Sequence, residues 1–345
     1  MKNKSILIYV KNAEALTNYI RMIKNGEYDN KLPYSMEVRK MIEEFYTNEW
    51  NVYLGTIENF DTENEIFEKL YYINKDEILD MNIKEINKKI SIMIIRNLGS
   101  VELNFESIKK CLKYLTENYE GKVINNSKAM LKGMTKNYLT EIDSKELKEF
   151  GIITIPTKIY PKDISFLEIC KDYPKDREKY LIKPLTGELS NSLKCLKEID
   201  EEFLRYKESK VGGWVVQPIQ EDIWKGEYQL SFLDGELVYA QKKEYPVHKK
   251  DIPSQKNRII TKYKPGKEEI ENIKKLIEYF SKLYQLEINI CRVDFMKDNE
   301  GRPKLLEFEM VNPGFFIGYM DENDKDIKNI TESIRKYCEK ILDEN

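Results

Sequence analysis

The stretch CRVDFMKDNEGRPKLLEFEMVNP, residues 291–313, constrains the fold more than any other. It reads as two strands around the turn Asp298-Asn299-Glu300-Gly301. Side chains alternate along a strand, so Arg292 and Asp294 share one face of the first. On the second, Glu307 and Glu309 share a face, with Leu306, Phe308 and Met310 on the other. Where the polar faces coincide, three carboxylates crowd together between apolar runs. Like charges placed there repel and lose hydration. Something positive must complete them, and removing one is expected to relieve the ligand-free protein. Cys291 alternates away from Arg292 and Asp294, the position of a buried, inert thiol.

The rest of the composition narrows what can complete them. A chain of 345 residues exceeds one comfortable core and calls for two or three subdomains. Charged residues make up 34 %, yet the net charge is only −3, with neither the basic excess nor the basic stripe of a nucleic-acid binder. Cys111, Cys170, Cys195, Cys291 and Cys338 show no CxxC spacing, which argues against a disulfide framework and a zinc site. No long apolar run is present, and the opening MKNKSILIYVKN has too short an apolar core for a signal peptide. The expectation is a soluble, cytoplasmic protein with no membrane or nucleic-acid partner.

Three stretches follow along the chain: 1–125, 126–210 and 211–345. In the first, SILIYV, NVYLGTI and KISIMIIR alternate with helical patterns such as SMEVRKMIEEFY and NFESIKKCLKYLTENYEG. In the last of these, Asn104 is placed as an N-cap and Gly121 as a stop. Alternating β and α units predict a parallel sheet covered by helices. The second stretch is short and mixed, with GIITIPTKIY and KYLIKPL as strands. The third reads as antiparallel strands interrupted by one helix, PGKEEIENIKKLIEYFSKLY, whose stripe is Ile270, Ile273, Ile277, Phe280 and Leu283. The fold class is thus α/β and α+β, a parallel α/β domain followed by a two-lobed unit.

Carboxylates on facing strands without His or Cys suit a hard cation such as Mg²⁺, which is held by one or two carboxylates plus substrate phosphates. Phosphate-binding groups are therefore expected elsewhere. Arg292, on the face of Asp294, is one candidate. In YLIKPLTGELSNSL, Lys183 ends an apolar strand and precedes a loop with Gly187, Ser190, Asn191 and Ser192, whose backbone N–H groups can cradle an anion. Arg96, ending SIMIIR, lies at the carboxyl edge where α/β sheets present ligand groups, and is a candidate for a substrate carboxylate. His248, the only histidine, sits in a lysine-rich polar loop and reads as surface.

The order of these pieces resembles the ATP-grasp superfamily over most of the chain. LKGMTKNYLTEIDSKELKEFGIITIPT is similar to its first nucleotide segment, and YLIKPLTGELSNSL to its second lysine strand and phosphate loop. VVQPIQEDIWKGEYQLSFLDGEL is similar to the adenine hinge and Gly-acidic segment of bacterial glutathione synthetases, and RVDF with LLEFEMVNPG to the metal-binding end. IMIIRNLGSVELNFESIKKCL and TKNYL resemble the branch containing O-ureido-serine cyclo-ligase.

The resemblance implies a pre-ATP-grasp domain (1–125), a lid subdomain (126–210) and a C-terminal subdomain with the metal site (211–345). It implies ATP and two Mg²⁺ ions, with Mn²⁺ able to substitute. Lys136 and Lys183 would bind the α- and β-phosphates. Gln217, Pro218, Ile219 and Gln220 would form the hinge, with backbone groups around Gln217 and Ile219 pairing with adenine, and Glu227 would accept the ribose hydroxyls. Lys243, Arg258 and Arg292 would act on the γ-phosphate or the substrate carboxylate. Asp294, Glu307 and Glu309 would hold the metal, and Asn312 would contact substrate. Glu309 departs from the pattern by replacing the usual asparagine, which makes the site more negative. The implied reaction is ATP-dependent joining of a carboxylate and an amine through an acyl phosphate on a small amino-acid-like molecule; the oligomeric state is left open, a homodimer being one option. A peptide-tailoring ligase and a non-catalytic nucleotide-binding module are the other two readings.

Overall fold

SILIYV forms β1 (Ser5–Val10), and all six of its residues are buried, as a strand covered on both faces requires. A computed structural model describes residues 4–11, 20–21, 24–25, 33–61, 63–186, 193–205, 212–245, 258–315 and 325–344. β1 pairs in parallel with β2 (Asn51–Thr56). Strands β3 (Phe60–Asp61), β4 (Ile66–Tyr72) and β5 (Glu77–Asn82) follow, then β6 (Ile92–Ile95) and β7 (Lys122–Ile124). β6 runs parallel to β1, and β7 parallel to β6. The expected parallel sheet is only its central part, because β4 is antiparallel to β2 and to both β3 and β5. Connections of a few residues join β3, β4 and β5, and links that short permit only antiparallel pairing.

The helix Val101–Asn118 covers one face of this sheet. Its N-cap is Ser100, whose side chain accepts from Leu103 N–H, and not Asn104. Asn104 instead sits at a kink within the helix, at φ −119° and ψ 21°. Gly121 does lie just beyond the end, where a Cβ would press to 2.5 Å from the Ser91 carbonyl oxygen. The opposite face is covered by two helices far apart in sequence, Pro33–Thr47 and Lys325–Glu344. The latter buries Ile327, Ile330, Ile334, Tyr337, Cys338 and Ile341 against the core built on β1, β2 and β6.

A second sheet joins β8 (Lys158–Tyr160), β9 (Tyr180–Pro184), β10 (Lys194–Cys195) and β11 (Trp214–Pro218) in the antiparallel order β10-β9-β11-β8. Its small core centres on Ile182, Trp214 and Val216. The third sheet contains β12 (Glu227–Leu233), β13 (Glu236–Glu244), β14 (Ile259–Lys262), β15 (Ile290–Lys297) and β16 (Pro303–Glu309), in the order β14-β13-β12-β15-β16. The 126–210 stretch divides between two cores. Ala129, Tyr138, Leu147 and Ile152 pack with the third sheet, and residues from Tyr160 to Leu204 pack with the second.

The helix Lys267–Tyr284 covers the apolar face of the third sheet with Ile273, Leu276, Ile277, Tyr279 and Phe280. Leu283, expected in its stripe, is 41 % exposed. Tyr284 takes the place next to the core, its ring 5.9 Å from that of Phe280. Among the described residues, no helix is long and apolar enough to cross a membrane.

Candidate active site

The polar faces of the opening hairpin coincide. Asp294 lies opposite Glu307, and Arg292 opposite Glu309. β12 extends the row by placing Gln229 beside Asp294, and β13 sets Lys243 beside Glu227 and Gln241 beside Gln229. One face of a four-strand surface is thus polar and largely buried, while Val293, Phe295, Leu305 and Phe308 hold the other face in the core. Cys291 follows that apolar face as expected, and burial pushes its thiol pKa well up.

The chain itself supplies the positive charge. Arg292 donates from Nε to Asp294 Oδ1 at 2.7 Å and from Nη2 to Oδ2 at 2.9 Å, a bidentate pair within one strand. Lys136 Nζ lies 3.1 Å from Glu307 Oε1, and Lys243 Nζ lies 3.1 Å from Glu227 Oε1. With Lys183, four cations meet the four carboxylates of Glu227, Asp294, Glu307 and Glu309. These pairs argue against the expectation that removing a carboxylate relieves the free protein, because losing Asp294 or Glu307 would leave a buried cation without its partner.

Each ionisation follows from its neighbours. Burial pushes Glu227 up, but Lys243 and the Tyr245 hydroxyl, which donates to Oε2 at 2.5 Å, bring it below its ordinary value. Glu307 behaves likewise, with burial outweighed by Lys136, Lys183 and Arg292. Asp294 is raised by burial against the opposing pull of Arg292, and Glu309 by burial and then by Glu307. Burial, and then Lys136, bring Lys183 down to about 8. Among the described residues the Lys183 ammonium makes no hydrogen bond or ion pair. Lys136 is fixed at the end of β9 through its backbone N–H, 3.0 Å from Leu185 O. The loop with Gly187, Ser190, Asn191 and Ser192 lies outside the described residues, as does His248.

The hinge is internally bonded. Gln217 donates from Nε2 to Thr157 Oγ1 at 2.8 Å. The N–H of Ile219 donates to Lys179 O at 2.7 Å, and Pro218 O accepts from Gln220 Nε2 at 3.0 Å. Lys304 donates to Gln220 Oε1 at 3.0 Å and pairs with Asp222 at 2.6 Å, bracing the turn that follows. Both oxygens of Glu227 are engaged as well, by Gln229, Lys243 and Tyr245. A nucleotide using the N–H of Ile219 must displace its bond to Lys179 O, whereas the Glu227 carboxylate, with two donors on Oε1 and one on Oε2, keeps acceptor capacity.

Across the seam, Arg96 at the carboxyl end of β6 pairs with Glu37 of the helix Pro33–Thr47, Nε to Oε1 at 2.8 Å. Its Nη2 donates to Pro313 O at 3.1 Å, and its guanidinium stacks over Phe315 at 4.5 Å. Asn312 accepts from Leu98 N–H at 2.9 Å and donates to Gly99 O at 3.4 Å. Both residues tie the first domain to the segment leaving β16. Arg258 precedes β14, which pairs with β13 beside Lys243.

The donor set fits a hard divalent ion completed by phosphate oxygens. Among the described residues no three His, Cys, Asp or Glu groups converge to hold a metal alone. Asp294 and Glu307 are cross-strand partners of the hard, oxygen-donor type. Asp294 has both oxygens engaged, by Arg292 and by Gln229 at 2.7 Å. Among the described residues Glu309 is bonded through Oε1, accepting from Val311 N–H at 2.8 Å and Asn312 N–H at 3.0 Å. The side chain of Glu307 is 30 % exposed, against 6 % for Asp294.

Sequence reasoning missed Gln229, Gln241, Tyr245 and Glu37. Gln229 Nε2 donates at 2.7 Å to both Glu227 and Asp294, and its Oε1 accepts from Gln241 at 2.6 Å. The signal was present: alternation in EYQLSF puts Gln229 on the face of Glu227.

No family model matches the chain, and no curated protein matches it in sequence. Solved structures do match in fold. A D-cycloserine synthetase aligns over 96 % of this chain and 99 % of its own, at 16 % identity and a TM-score of 0.63. A D-alanine–D-alanine ligase from Bacillus anthracis, complexed with ATP, aligns over 99 % of both chains at 15 % identity and 0.56. A macrocyclase from Microcystis aeruginosa, bound with a precursor peptide, aligns over 96 % of this chain and 99 % of its own at 12 % identity and 0.57. The chain has the ATP-grasp fold.

Proposed function

We propose that this protein is an ATP-dependent carboxylate–amine ligase that works through an acyl phosphate, releasing ADP and phosphate. One observation carries the reading. Lys136 is paired with Glu307, and Lys183 interacts with both. Phosphate-type cations and metal-type carboxylates, distant in sequence, therefore share one buried polar surface.

A carboxylate is a poor electrophile because it is anionic and resonance-stabilised. Its oxygen attacks the γ-phosphorus of ATP, and the bond to the β-γ bridging oxygen breaks as ADP leaves. The amine nitrogen then attacks the acyl carbon, a C–N bond forms, and phosphate leaves. Bound Mg²⁺ supplies charge neutralisation at the phosphates, with Glu307, Glu309 and Asp294 as its holders in this reading. Lys136 and Lys183 bind the phosphate chain as point charges. Asp294, which here accepts both bonds from Arg292, would be one of the ion's holders, and the Arg292 guanidinium would meet charge developing on the transferred group. Lys243 and Arg258 serve the same region from β13 and the start of β14. Positioning and electrostatics of this kind are what phosphoryl transfer asks of a protein.

The substrate is a small amino-acid-like molecule in the first reading and a peptide in the second. The second is supported by fold neighbours that include a macrocyclase bound with a precursor peptide and an ATP-grasp ligase in complex with a leader and core peptide, at TM-scores of 0.57 and 0.55. A screen of amino acids and peptides for ADP release separates them. With the active acid in hand, a heavy oxygen in its carboxylate should appear in phosphate once per turnover, and hydroxylamine should trap a hydroxamate. An ATP-dependent product formed without label in phosphate rules out the acyl phosphate. A protein that binds ATP but releases no ADP with any acid supports the non-catalytic module.

A further inference from the structure

We propose that Asn125, a residue with no role in the reading above, is a positioning residue that holds the open end of the carboxylate hairpin in register. The proposal rests on that hairpin being the metal and nucleotide site. Asn125 follows β7 in the first domain and is fully buried. Its Oδ1 accepts from Asn289 N–H at 3.1 Å and Ile290 N–H at 3.3 Å, where β15 begins. Its Nδ2 donates to Met310 O at 2.7 Å, immediately after Glu309 ends β16. One amide thus grips both strands across their open end. Asn289 reinforces it, accepting from Asn126 N–H at 3.1 Å and donating to the Tyr337 hydroxyl at 2.8 Å.

The hairpin needs such a grip. Its far end is closed by the turn, where Asp298 Oδ1 accepts from Glu300 N–H at 2.9 Å and Arg302 N–H at 2.8 Å. Between the ends the ladder slips by one residue, directly after the pair Asp294–Glu307. A bulge interrupts the ladder and bends the strand. The spacing of Asp294, Glu307 and Glu309 is then set from the open end, and Asn125 fixes that end to the first domain.

Two measurements test this on the intact protein, well below the melting temperature of every variant. Mg²⁺-dependent binding of ADP and backbone hydrogen exchange are followed for wild type, Asn125→Ala, Asn125→Asp and the control Asn74→Ala. Asn74 is a comparable bridging amide, accepting from Val52 N–H at 2.8 Å and donating to Trp50 O at 3.0 Å, remote from the hairpin. In Asn125→Ala, exchange should speed up through residues 289–296 and 305–312. The Mg²⁺ midpoint should rise about ten-fold, the lower end for residues behind metal ligands. Asn125→Asp, which retains the acceptor and loses the donor to Met310, should loosen 305–312 more than 289–296. Asn74→Ala should do neither, whatever it costs in melting temperature. Unchanged exchange in the hairpin, or faster exchange with an unchanged Mg²⁺ midpoint, overturns the proposal. Wild-type protein that binds no Mg²⁺–ADP overturns the functional reading instead, and the exchange comparison then decides on the clamp by itself.

Discussion

The first and third sheets are buried by opposite means. β1 is apolar from Ile6 to Val10 and meets apolar residues on both sides, so its neighbours are interchangeable in kind. The third sheet is apolar on one face only. On the other, Glu227, Gln229, Gln241, Lys243, Arg292 and Asp294 are nearly as buried, and each is placed by a named partner. Burial without direction stabilises the first. The second tolerates burial only because its charges are matched, and such a surface contributes a defined geometry more than net stability.

The sharpest way to break that contrast is Asp294→Ala. It leaves Arg292 without its bidentate partner and should cost about 3–5 kcal/mol in denaturant unfolding. ADP formation in the same variant should fall by about three orders of magnitude. A variant as stable as wild type would show that Glu307 and Glu309 already satisfy Arg292. In the first sheet, Ile8→Ala should cost about 3 kcal/mol as a cavity, with the Mg²⁺ dependence of nucleotide binding unmoved. A shift in that dependence would mean that the two sheets are not independent.

A smaller effect separates the regions by pH. Lys183 is lowered to about 8 from 10.5 by burial and by Lys136. Between those values the unfolded chain keeps a proton the folded chain has released, so its contribution makes stability rise with pH across that window. Nucleotide affinity should fall over the same range as the positive charge is lost. Lys183→Met should remove both slopes, and matching pH profiles for variant and wild type would exclude Lys183 from phosphate binding. Least of all should follow from breaking Arg205–Glu201, a pair 3.9 Å apart with side chains 79 % and 49 % exposed. Its double replacement by alanine should change unfolding by under about 0.5 kcal/mol.

The hairpin was legible because period-two alternation and a turn of Asp, Asn and Gly are local signals. So were Lys136 and Lys183, through a resemblance in segment order. What alternation does not carry is which cation meets which carboxylate. Arg292 could be placed on the face of Asp294, but its two hydrogen bonds depend on the twist of β15, and Lys136–Glu307 joins residues 171 positions apart. Strands β4 and β5 were missed because EIFEKLYYINKDEILDMN mixes charges with aromatics and gives no clean period. The helix Lys325–Glu344 was missed although its apolar stripe is regular; its partner, the face of β1, β2 and β6, lies at the other end of the chain.

That last packing has a consequence for how the protein is made. A ribosome delivers residues 5–10 early, but the core around β1 also needs Ile327, Ile330, Ile334 and Ile341. Until these emerge, one face of the first sheet stays without part of its cover. The domain built on β1 is therefore completed only after the two that follow it have emerged, and its apolar face is exposed to aggregation or to holding factors while translation continues.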